Sequence, residues 1–175
     1  MSEDSRAIRP PEHLAAQHDL SEFSTGGHST LDAWLRMRSR AAEGLTARTY
    51  VACSQSRPET VVAYHCVLAA MEQRQMLPNA RLRKGTPEQI PLLLIGRLAV
   101  DRAWQGRGVG SAMLVDAIRR CVAASDVIGA RGIVAQAIDQ PAAEFYQRHG
   151  FLLSPLGERV LVMPIESAKR LVAER

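Results

Sequence analysis

The sequence predicts one α/β domain, residues 1–175, built on a mixed β-sheet. Segments with strand periodicity and segments with helix periodicity follow one another without a regular βαβ repeat. Hydrophobic residues make up 46% of the chain and charged residues 23%, which are ordinary values for a globular protein. A chain of 175 residues is ample for one domain with its own core and short for two.

The first half of the chain predicts a helix followed by three strands. The helix covers STLDAWLRMRSRAAEG, with Ser29 or Thr30 as its cap and Gly44 at its end. RTYVACS and TVVAYHCVL are rich in β-branched and aromatic residues, and the short QSRPE segment between them predicts an antiparallel hairpin. Residues 71–89 predict a long basic loop, and IPLLLIGRLAVD predicts a central strand. Gly96 interrupts this strand, which is typical of a bulge or of a close backbone approach.

The second half predicts a helix, a strand, a second helix and two strands. Apolar residues recur at helical spacing over residues 109–124, and RGIVAQAID then predicts a strand. The short helix PAAEFYQRH opens after Asp139 and closes at Gly150. FLLSP and RVLVMPI predict the last two strands, around a turn at Gly157.

Three glycines, Gly106, Gly108 and Gly110, lie between the central strand and the helix that follows it. Glycine costs conformational entropy, so this density indicates a need for bare backbone. The amides of a helix's first turn lie at the positive end of its dipole, and with the glycines they predict a phosphate cradle. Gln105 and Arg107 can add side-chain donors at its rim. A tight turn without a ligand is the alternative for the loop taken alone.

A dinucleotide-binding loop fits the sequence poorly. That fingerprint places its glycines after the first strand of a βαβ unit, with an acidic residue about 20 positions later. Here the glycines follow at least three predicted strands with G-x-G-x-G spacing, and a helix occupies the region where the acidic residue should be.

RLAVDRAWQGRGVGSAML resembles the acetyl-CoA motif of the GNAT acetyltransferases, and AAEFYQRHGF resembles a later helix of the same family. The resemblance implies the GNAT fold: a mixed, mostly antiparallel sheet with a central splayed strand pair, flanked by helices. It also implies acetyl-CoA as co-substrate and no metal. The residues that it implies for binding acetyl-CoA are Leu98, Ala99 and Val100, which would pair with the pantetheine arm as an added strand does, and Gln105, Gly106, Arg107, Gly108, Val109, Gly110, Ser111 and Phe145.

Over nearly its whole length the chain is similar to the GNAT toxins of bacterial toxin–antitoxin pairs. LDAWLRMRSRAA, the YVAC…VVAYHCVLAA hairpin, LLLIGRLAVDRAWQGRGVGSAMLVDAIRRC and AIDQPAAEFYQRHGF carry this similarity. It implies acetylation of the α-amino group of aminoacyl-tRNA, which blocks translation, a ribbon–helix–helix antitoxin as partner, and a homodimer. One departure is STGGH before the first helix, where the family often has Cys-Gly.

Tyr146 is the expected catalytic residue, because the resemblance places it on the family's later helix. A tyrosine hydroxyl in a dry site can protonate a departing thiolate. The structural alternative is that Tyr146 packs beside Phe145 in the core. His65 lies within an apolar strand and is expected to be a core histidine, and His149 is expected to help end its helix.

The formal net charge of +4 permits an anionic partner without requiring one. The candidate tRNA-binding residues are basic and lie on the first helix, the long loop or the central strand: Arg36, Arg40, Arg81, Arg83, Lys84 and Arg97. For each residue, a solvated charged face is the alternative. Two other functions stay open: acetylation of a small amine or a protein N-terminus, and an idle CoA-binding module.

Three cysteines, Cys53, Cys66 and Cys121, form no C-x-x-C pair and lie among apolar residues, which predicts buried free thiols in a reducing compartment. The N-terminal residues MSEDSRAIRPPEH begin acidic and lack the apolar core of a signal peptide. The longest apolar runs are too short to cross a bilayer. The sequence therefore predicts a soluble, cytoplasmic protein without a membrane partner.

Overall fold

The computed structural model describes residues 7–175, which form two compact units. The first unit contains the described residues up to Val67 together with Arg97–Ala117, and the second contains Leu68–Gly96 and Ile118–Arg175. The helices and strands, in chain order, are β1 (Glu12–His13), α1 (Ser29–Met37), α2 (Ser39–Ala42), β2 (Arg48–Cys53), β3 (Val61–Gln73), α3 (Ala80–Arg83), β4 (Gln89–Val100), α4 (Val109–Ile128), β5 (Gly132–Gln136), α5 (Gln140–Arg148), β6 (Leu152–Leu153), β7 (Val160–Pro164) and α6 (Ile165–Ala173).

The strands form a seven-stranded sheet in the order β1-β2-β3-β4-β5-β7-β6. β1 pairs with β2, β2 with β3, β5 with β7 and β6 with β7, all in antiparallel register, whereas β4 and β5 are parallel. The predicted mixed, mostly antiparallel sheet is therefore confirmed, and so is the hairpin of β2 and β3. Among residues 7–175, every helix is too short or too polar to cross a bilayer.

β4 is the long central strand that the sequence predicts. Its parallel register with β5 covers Leu92–Ile95, and β4 then continues as far as Val100. This long strand forms because almost every position is apolar, so that both of its faces can pack against other residues. After Val100, a 3-10 turn at Arg102–Trp104 leads from β4 to the loop that contains Gly106 and Gly108.

Each unit has its own apolar core. In the first unit Leu35, Val51 and Tyr64 are among the buried residues of one cluster. In the second unit Met76 packs in another cluster with Ile90 of β4, Val134 of β5 and Val162 of β7. Apolar burial of this kind stabilises a fold by roughly 25 cal/mol per Å² removed from water.

His65 is fully buried in the first unit, where its Nε2 lies 2.7 Å from Asp116 Oδ2 on α4. A buried polar group requires a partner of this kind because an unmet hydrogen bond is costly away from water. The expectation of a core histidine is confirmed, and the pair joins β3 to α4.

Several element boundaries differ from those predicted. The first helix breaks at Arg38, which separates α1 from α2, and its N-cap residue is His28 rather than Ser29 or Thr30. The basic segment 71–89 is not one loop: β3 extends to Gln73, a 3-10 turn follows, and α3 forms because the Asn79 side chain accepts a hydrogen bond from the Leu82 amide.

Besides α3, two further elements were not predicted: β1 and the C-terminal helix α6. β1 is only two residues long and pairs with β2 at the edge of the sheet. α6 follows β7 directly, with Pro164 at its N-cap position. The apolar run RVLVMPI hides this boundary, since strand and helix meet there without an intervening polar turn.

The three cysteines are buried free thiols, as predicted. Burial raises the pKa of Cys53 to about 11 and that of Cys121 to about 12. Burial also raises the pKa of the Cys66 thiol, against the opposing influence of the Arg97 guanidinium. Because the thiolate is the reactive form, all three should be chemically inert in the folded protein.

Native protein should accordingly react with an aromatic disulfide reagent at pH 8 at least about 100-fold more slowly than protein unfolded in guanidinium, because buried thiols with raised pKa values supply little thiolate. The measurement is the absorbance of the released thiolate over time. Unfolded protein should titrate three thiols, since the sequence contains three cysteines. One thiol that reacts at the unfolded rate before denaturation would contradict the expectation.

Candidate active site

The glycine loop, residues 105–110, follows the 3-10 turn after β4 and runs into the first residues of α4, in the first unit. Gly106 has φ +73° and Gly108 has φ +78°, in the left-handed region that favours glycine. A Cβ built on either residue would meet no described atom within 4 Å, so bare backbone faces open space. α4 starts at Val109, and the hydrogen bond from Ala112 N to Gly108 O closes its first turn at 3.1 Å.

These features fit the diphosphate of acetyl-CoA. The amides of the first turn of α4 lie at the positive end of the helix dipole, where an anion is stabilised. Gly110 and Ser111 belong to that turn. The Arg107 guanidinium lies 5.3 Å from the centroid of the Trp104 ring, which keeps a positive charge at the loop. Backbone amides and a guanidinium are the donors that phosphate oxygens require.

The Gln105 side chain links the glycine loop to two other segments by hydrogen bonds. Its Nε2 donates to the Val100 carbonyl at 3.0 Å and to the Thr25 carbonyl at 2.9 Å. The predicted role of Gln105 at the rim of the phosphate cradle stays a prediction. What the structure shows is that the amide nitrogen joins the end of β4 to the turn before α1.

Sequence reasoning missed the contribution of the turn before α1. Asp101 accepts a hydrogen bond from Ser24 N at 3.0 Å, and Arg102 N donates to Ser24 O at 2.8 Å. Gly26 has φ +81°, and a Cβ there would lie 3.3 Å from Arg102 Cβ. The departure STGGH therefore lies against the segment that joins β4 to the glycine loop. The available signal was Asp101, an aspartate directly after a strand, which is typical of a capping turn.

The predicted pantetheine-binding residues, Leu98, Ala99 and Val100, are the last three residues of β4. Ala99 is buried in the first unit's core, whereas Leu98 and Val100 pack partly buried on the cluster that contains Val109. Alternation along a strand explains this division between two faces. Their place at the end of β4, before the 3-10 turn that leads into the glycine loop, agrees with the role that the resemblance implies, which stays a prediction.

Tyr146 lies on the buried face of α5, in the second unit. Its residue exposure is only 6%, and its ring meets Phe145 and Phe151 edge to face, each at 5.4 Å between centroids. The α5 helix opens at Asp139, whose side chain accepts a hydrogen bond from Ala142 N. Edge-to-face contacts on two sides fix the ring plane of Tyr146.

Backbone hydrogen bonds at the end of α5 also hold Tyr146 in place. The Tyr146 carbonyl accepts hydrogen bonds from the amides of His149 and Phe151, at 3.0 and 3.2 Å. His149 Nδ1 lies 2.7 Å from the Phe145 carbonyl, which confirms that this histidine helps to end the helix. Gly150 follows with φ +95°, the left-handed conformation expected of a glycine that closes a helix.

Three of the six candidate tRNA-binding residues bind backbone carbonyls. Arg36 donates to Phe23 O at 2.5 Å, and Arg83 donates to Leu77 O at 2.8 Å. Arg40 bonds the carbonyls of two residues in the segment before α1. These guanidinium groups fix loops, and any contact with RNA would be an additional role. Lys84 is exposed at the end of α3.

Arg97 lies over the Trp34 ring, with its Cζ 4.4 Å from the ring centroid. Trp34 in turn stacks on Tyr64 at 5.9 Å with an interplanar angle of 15°. The indole therefore holds this guanidinium at a half-buried position on β4. Arg81 lines a cavity in the second unit together with two further arginines. Within residues 7–175, no group of three His, Cys, Asp or Glu side chains is arranged to hold a metal ion.

Comparison with known proteins gives matches over nearly the whole chain. The family described as acetyltransferase (GNAT) domain matches residues 46–152. A tRNA-acetylating toxin of Mycobacterium tuberculosis is 36% identical over 166 residues, which cover 94% of this chain and 96% of the relative.

Two solved structures extend the comparison. AtaT complexed with acetyl-methionyl-tRNAfMet has a TM-score of 0.85 and 28% identity, covering 94% of this chain and 99% of that one. A tyrosine-to-phenylalanine variant of the toxin AtaT, bound to the C-terminus of the antitoxin AtaR and to acetyl-CoA, has a TM-score of 0.78 and 26% identity, covering 94% and 97%.

Proposed function

Because this chain belongs to the GNAT acetyltransferase family, we propose that it transfers the acetyl group of acetyl-CoA to the α-amino group of aminoacyl-tRNA and so blocks translation. The observation that carries the proposal is its 36% identity, over 94% of the chain, to a tRNA-acetylating toxin. The likeness to AtaT complexed with acetyl-methionyl-tRNAfMet supports the same substrate class.

The chain's own residues account for the chemistry as follows. Acetyl-CoA supplies an acetyl group activated as a thioester. Gly106, Gly108 and the first amides of α4 bind its diphosphate. The neutral aminoacyl nitrogen forms the new C–N bond to the acetyl carbonyl carbon as the C–S bond breaks, and the Tyr146 hydroxyl gives its proton to the departing sulfur. The proton lost by the acylated nitrogen then passes through solvent and restores the Tyr146 hydroxyl. The aminoacyl amine needs no dedicated base, because α-amino groups titrate near pH 8 and are partly neutral at pH 7.

The same relatives support a partner and a compartment. AtaT has been solved with the C-terminus of the antitoxin AtaR, and we infer that an antitoxin binds this chain as well. The family resemblance predicts that this antitoxin is a small ribbon–helix–helix protein. We infer that the enzyme works in the cytoplasm, because charged tRNA is present there. The free buried cysteines of this chain agree with that reducing compartment. The homodimer stays a prediction that sedimentation of the purified protein would check.

The direct test offers purified protein acetyl-CoA and one acceptor at a time: charged tRNA, uncharged tRNA, a polyamine, or a peptide with a free N-terminus. Free CoA thiol and the acetylated product are both measured. The proposal expects thiol release and acetyl-aminoacyl product with charged tRNA alone. Turnover of the polyamine or peptide in its place would favour the small-amine or N-terminus alternative. CoA binding without thiol release under any acceptor would favour an idle binding module.

Transfer to charged tRNA should weaken with added salt, because RNA binding releases counterions from the phosphates. With two phosphate contacts, kcat/KM should fall about tenfold between 50 and 200 mM potassium chloride, and more steeply with additional contacts. The measurement is initial-rate kinetics at saturating acetyl-CoA across the salt series. A flat response would contradict phosphate contacts in the complex.

A further inference from the structure

A cavity of about 430 Å³ lies in the second unit, at the end of β5 that is opposite α5. Three guanidinium groups line it, from Arg81 on α3, Arg131 directly before β5, and Arg170 on α6. Glu166 supplies the carboxylate among the lining residues. The charged side chains of the cavity thus carry a surplus of positive charge, which favours an anionic occupant.

Arg131 is held in place by two neighbouring elements. Its Nη1 lies 3.0 Å from Glu166 Oε2 at the start of α6, and its Nη2 donates to the Leu82 carbonyl of α3 at 3.1 Å. The side chain of Arg131 is only 19% exposed. This guanidinium is therefore preorganised, and Arg81 and Arg170 add two exposed, adaptable charges beside it.

The start of α6 adds polar groups of the same character. Ser167 lies in the first turn of this nine-residue helix and lines the cavity, and its hydroxyl accepts a hydrogen bond from Arg170 Nη2 at 3.3 Å. The positive end of the helix dipole faces the same region as these side chains. Guanidinium forks, a hydroxyl and a helix start together make a receptor suited to phosphate oxygens.

We propose that this cavity binds backbone phosphates of the RNA substrate, away from the amino acid that is acetylated. This inference rests on the proposed function. β5 is five residues long, about 16 Å at 3.3 Å per residue, and it separates the cavity from the end of the strand where α5 begins. A charged tRNA presents its amino acid at one end and a continuous phosphate backbone well beyond that distance. The cavity thus selects for a long polyanionic acceptor over a small amine.

The test is the double variant Arg81→Glu/Arg170→Glu, which reverses the two exposed charges and keeps the paired Arg131. The single variants Arg170→Glu and Arg119→Glu form a matched pair beside it, because each reverses one exposed charge on a helix of the second unit and only Arg170 lines the cavity. Each protein is assayed with full-length charged tRNA and with an aminoacylated trinucleotide that has only the 3′ end. Thermal unfolding monitors the fold, and Arg81→Gln/Arg170→Gln gives a milder version of the change.

The double variant should raise KM for charged tRNA about tenfold, with unchanged kcat and unchanged KM for acetyl-CoA. The salt slope of kcat/KM should become shallower by roughly 1 for each contact removed. The double variant should acetylate the trinucleotide with the same kcat/KM as the wild type. Arg119→Glu should have wild-type kcat/KM for both the charged tRNA and the trinucleotide.

An unchanged KM for charged tRNA, or an equal loss on the trinucleotide, would overturn the inference while the proposed function stood. A wild-type protein that does not acetylate charged tRNA would overturn both. Calorimetry of the same double variant identifies other occupants. Loss of binding to inorganic phosphate, or to an acidic antitoxin peptide, with tRNA kinetics unchanged assigns the cavity to that ligand and removes RNA from it.

Discussion

Replacing Tyr146 by phenylalanine is expected to lower kcat for acetyl transfer by about 10²- to 10⁴-fold, the usual contribution of a positioned general acid. The substitution removes one hydroxyl and keeps the ring. The edge-to-face contacts with Phe145 and Phe151 therefore remain, and the fold should persist. KM for acetyl-CoA should change little, because the proposed diphosphate contacts are made by the glycine loop. Single-turnover transfer from acetyl-CoA to charged tRNA measures the chemical step.

The matched control is Tyr64→Phe, which removes the same atom from another buried tyrosine. The Tyr64 hydroxyl donates to the Leu31 carbonyl at 2.8 Å, so its loss should cost about 1 kcal/mol of stability. Its kcat at a temperature well below unfolding should equal that of the wild type. If Tyr146→Phe turned over at the wild-type rate, Tyr146 would be a packing residue and the proton would come from another donor.

The conformation of the glycine loop could be predicted from the sequence alone. Three glycines within five residues predicted a bare-backbone turn, and Gly106 and Gly108 do adopt left-handed conformations. Local residue choice fixes such a turn, because only glycine enters this region without strain. The same holds for the capped helix α5, where Asp139 and Gly150 mark both ends.

The support of the loop depends on contacts that are distant in sequence and carry no local pattern. Gln105 bonds a carbonyl 80 residues earlier, at Thr25. The cavity of three arginines likewise joins α3, the start of β5 and α6, and α6 was not predicted at all. Periodicity reports which residues are apolar. It does not report which polar side chains the folded backbone brings together.

The arginines of α1 and α2 show the same difference between what the sequence predicts and what only the folded chain determines. Arg36 and Arg40 share a helix stripe by their i, i+4 spacing, which suggested a basic surface. In the folded chain both guanidinium groups donate to carbonyls of the segment before α1. A guanidinium has five donors and satisfies backbone carbonyls wherever a loop passes close by. Charge in the sequence therefore identified the residues but not the groups that they bind.

The double substitution Gly106→Ala/Gly108→Ala should weaken acetyl-CoA binding at least about tenfold. A left-handed backbone costs a residue with a Cβ roughly 1–2 kcal/mol at each position. The loop would relax away from its present turn, and methyl groups would project into the open space that now lies over the backbone. Because the change acts on diphosphate binding, KM for acetyl-CoA should rise while kcat at saturation falls less. Calorimetric titration with acetyl-CoA gives the affinity directly.

Gly129→Ala separates backbone strain from ligand binding. Gly129 has φ +73°, the same value as Gly106, and a Cβ there also meets no described atom within 4 Å. It follows the C-terminus of α4, whereas the glycine loop precedes the start of that helix. Its alanine variant should lose comparable stability per position and bind acetyl-CoA as the wild type does. Equal weakening of acetyl-CoA binding in both variants would mean that the loop glycines serve the fold alone. Weakening confined to the loop variant identifies its bare backbone as the surface on which the diphosphate lies.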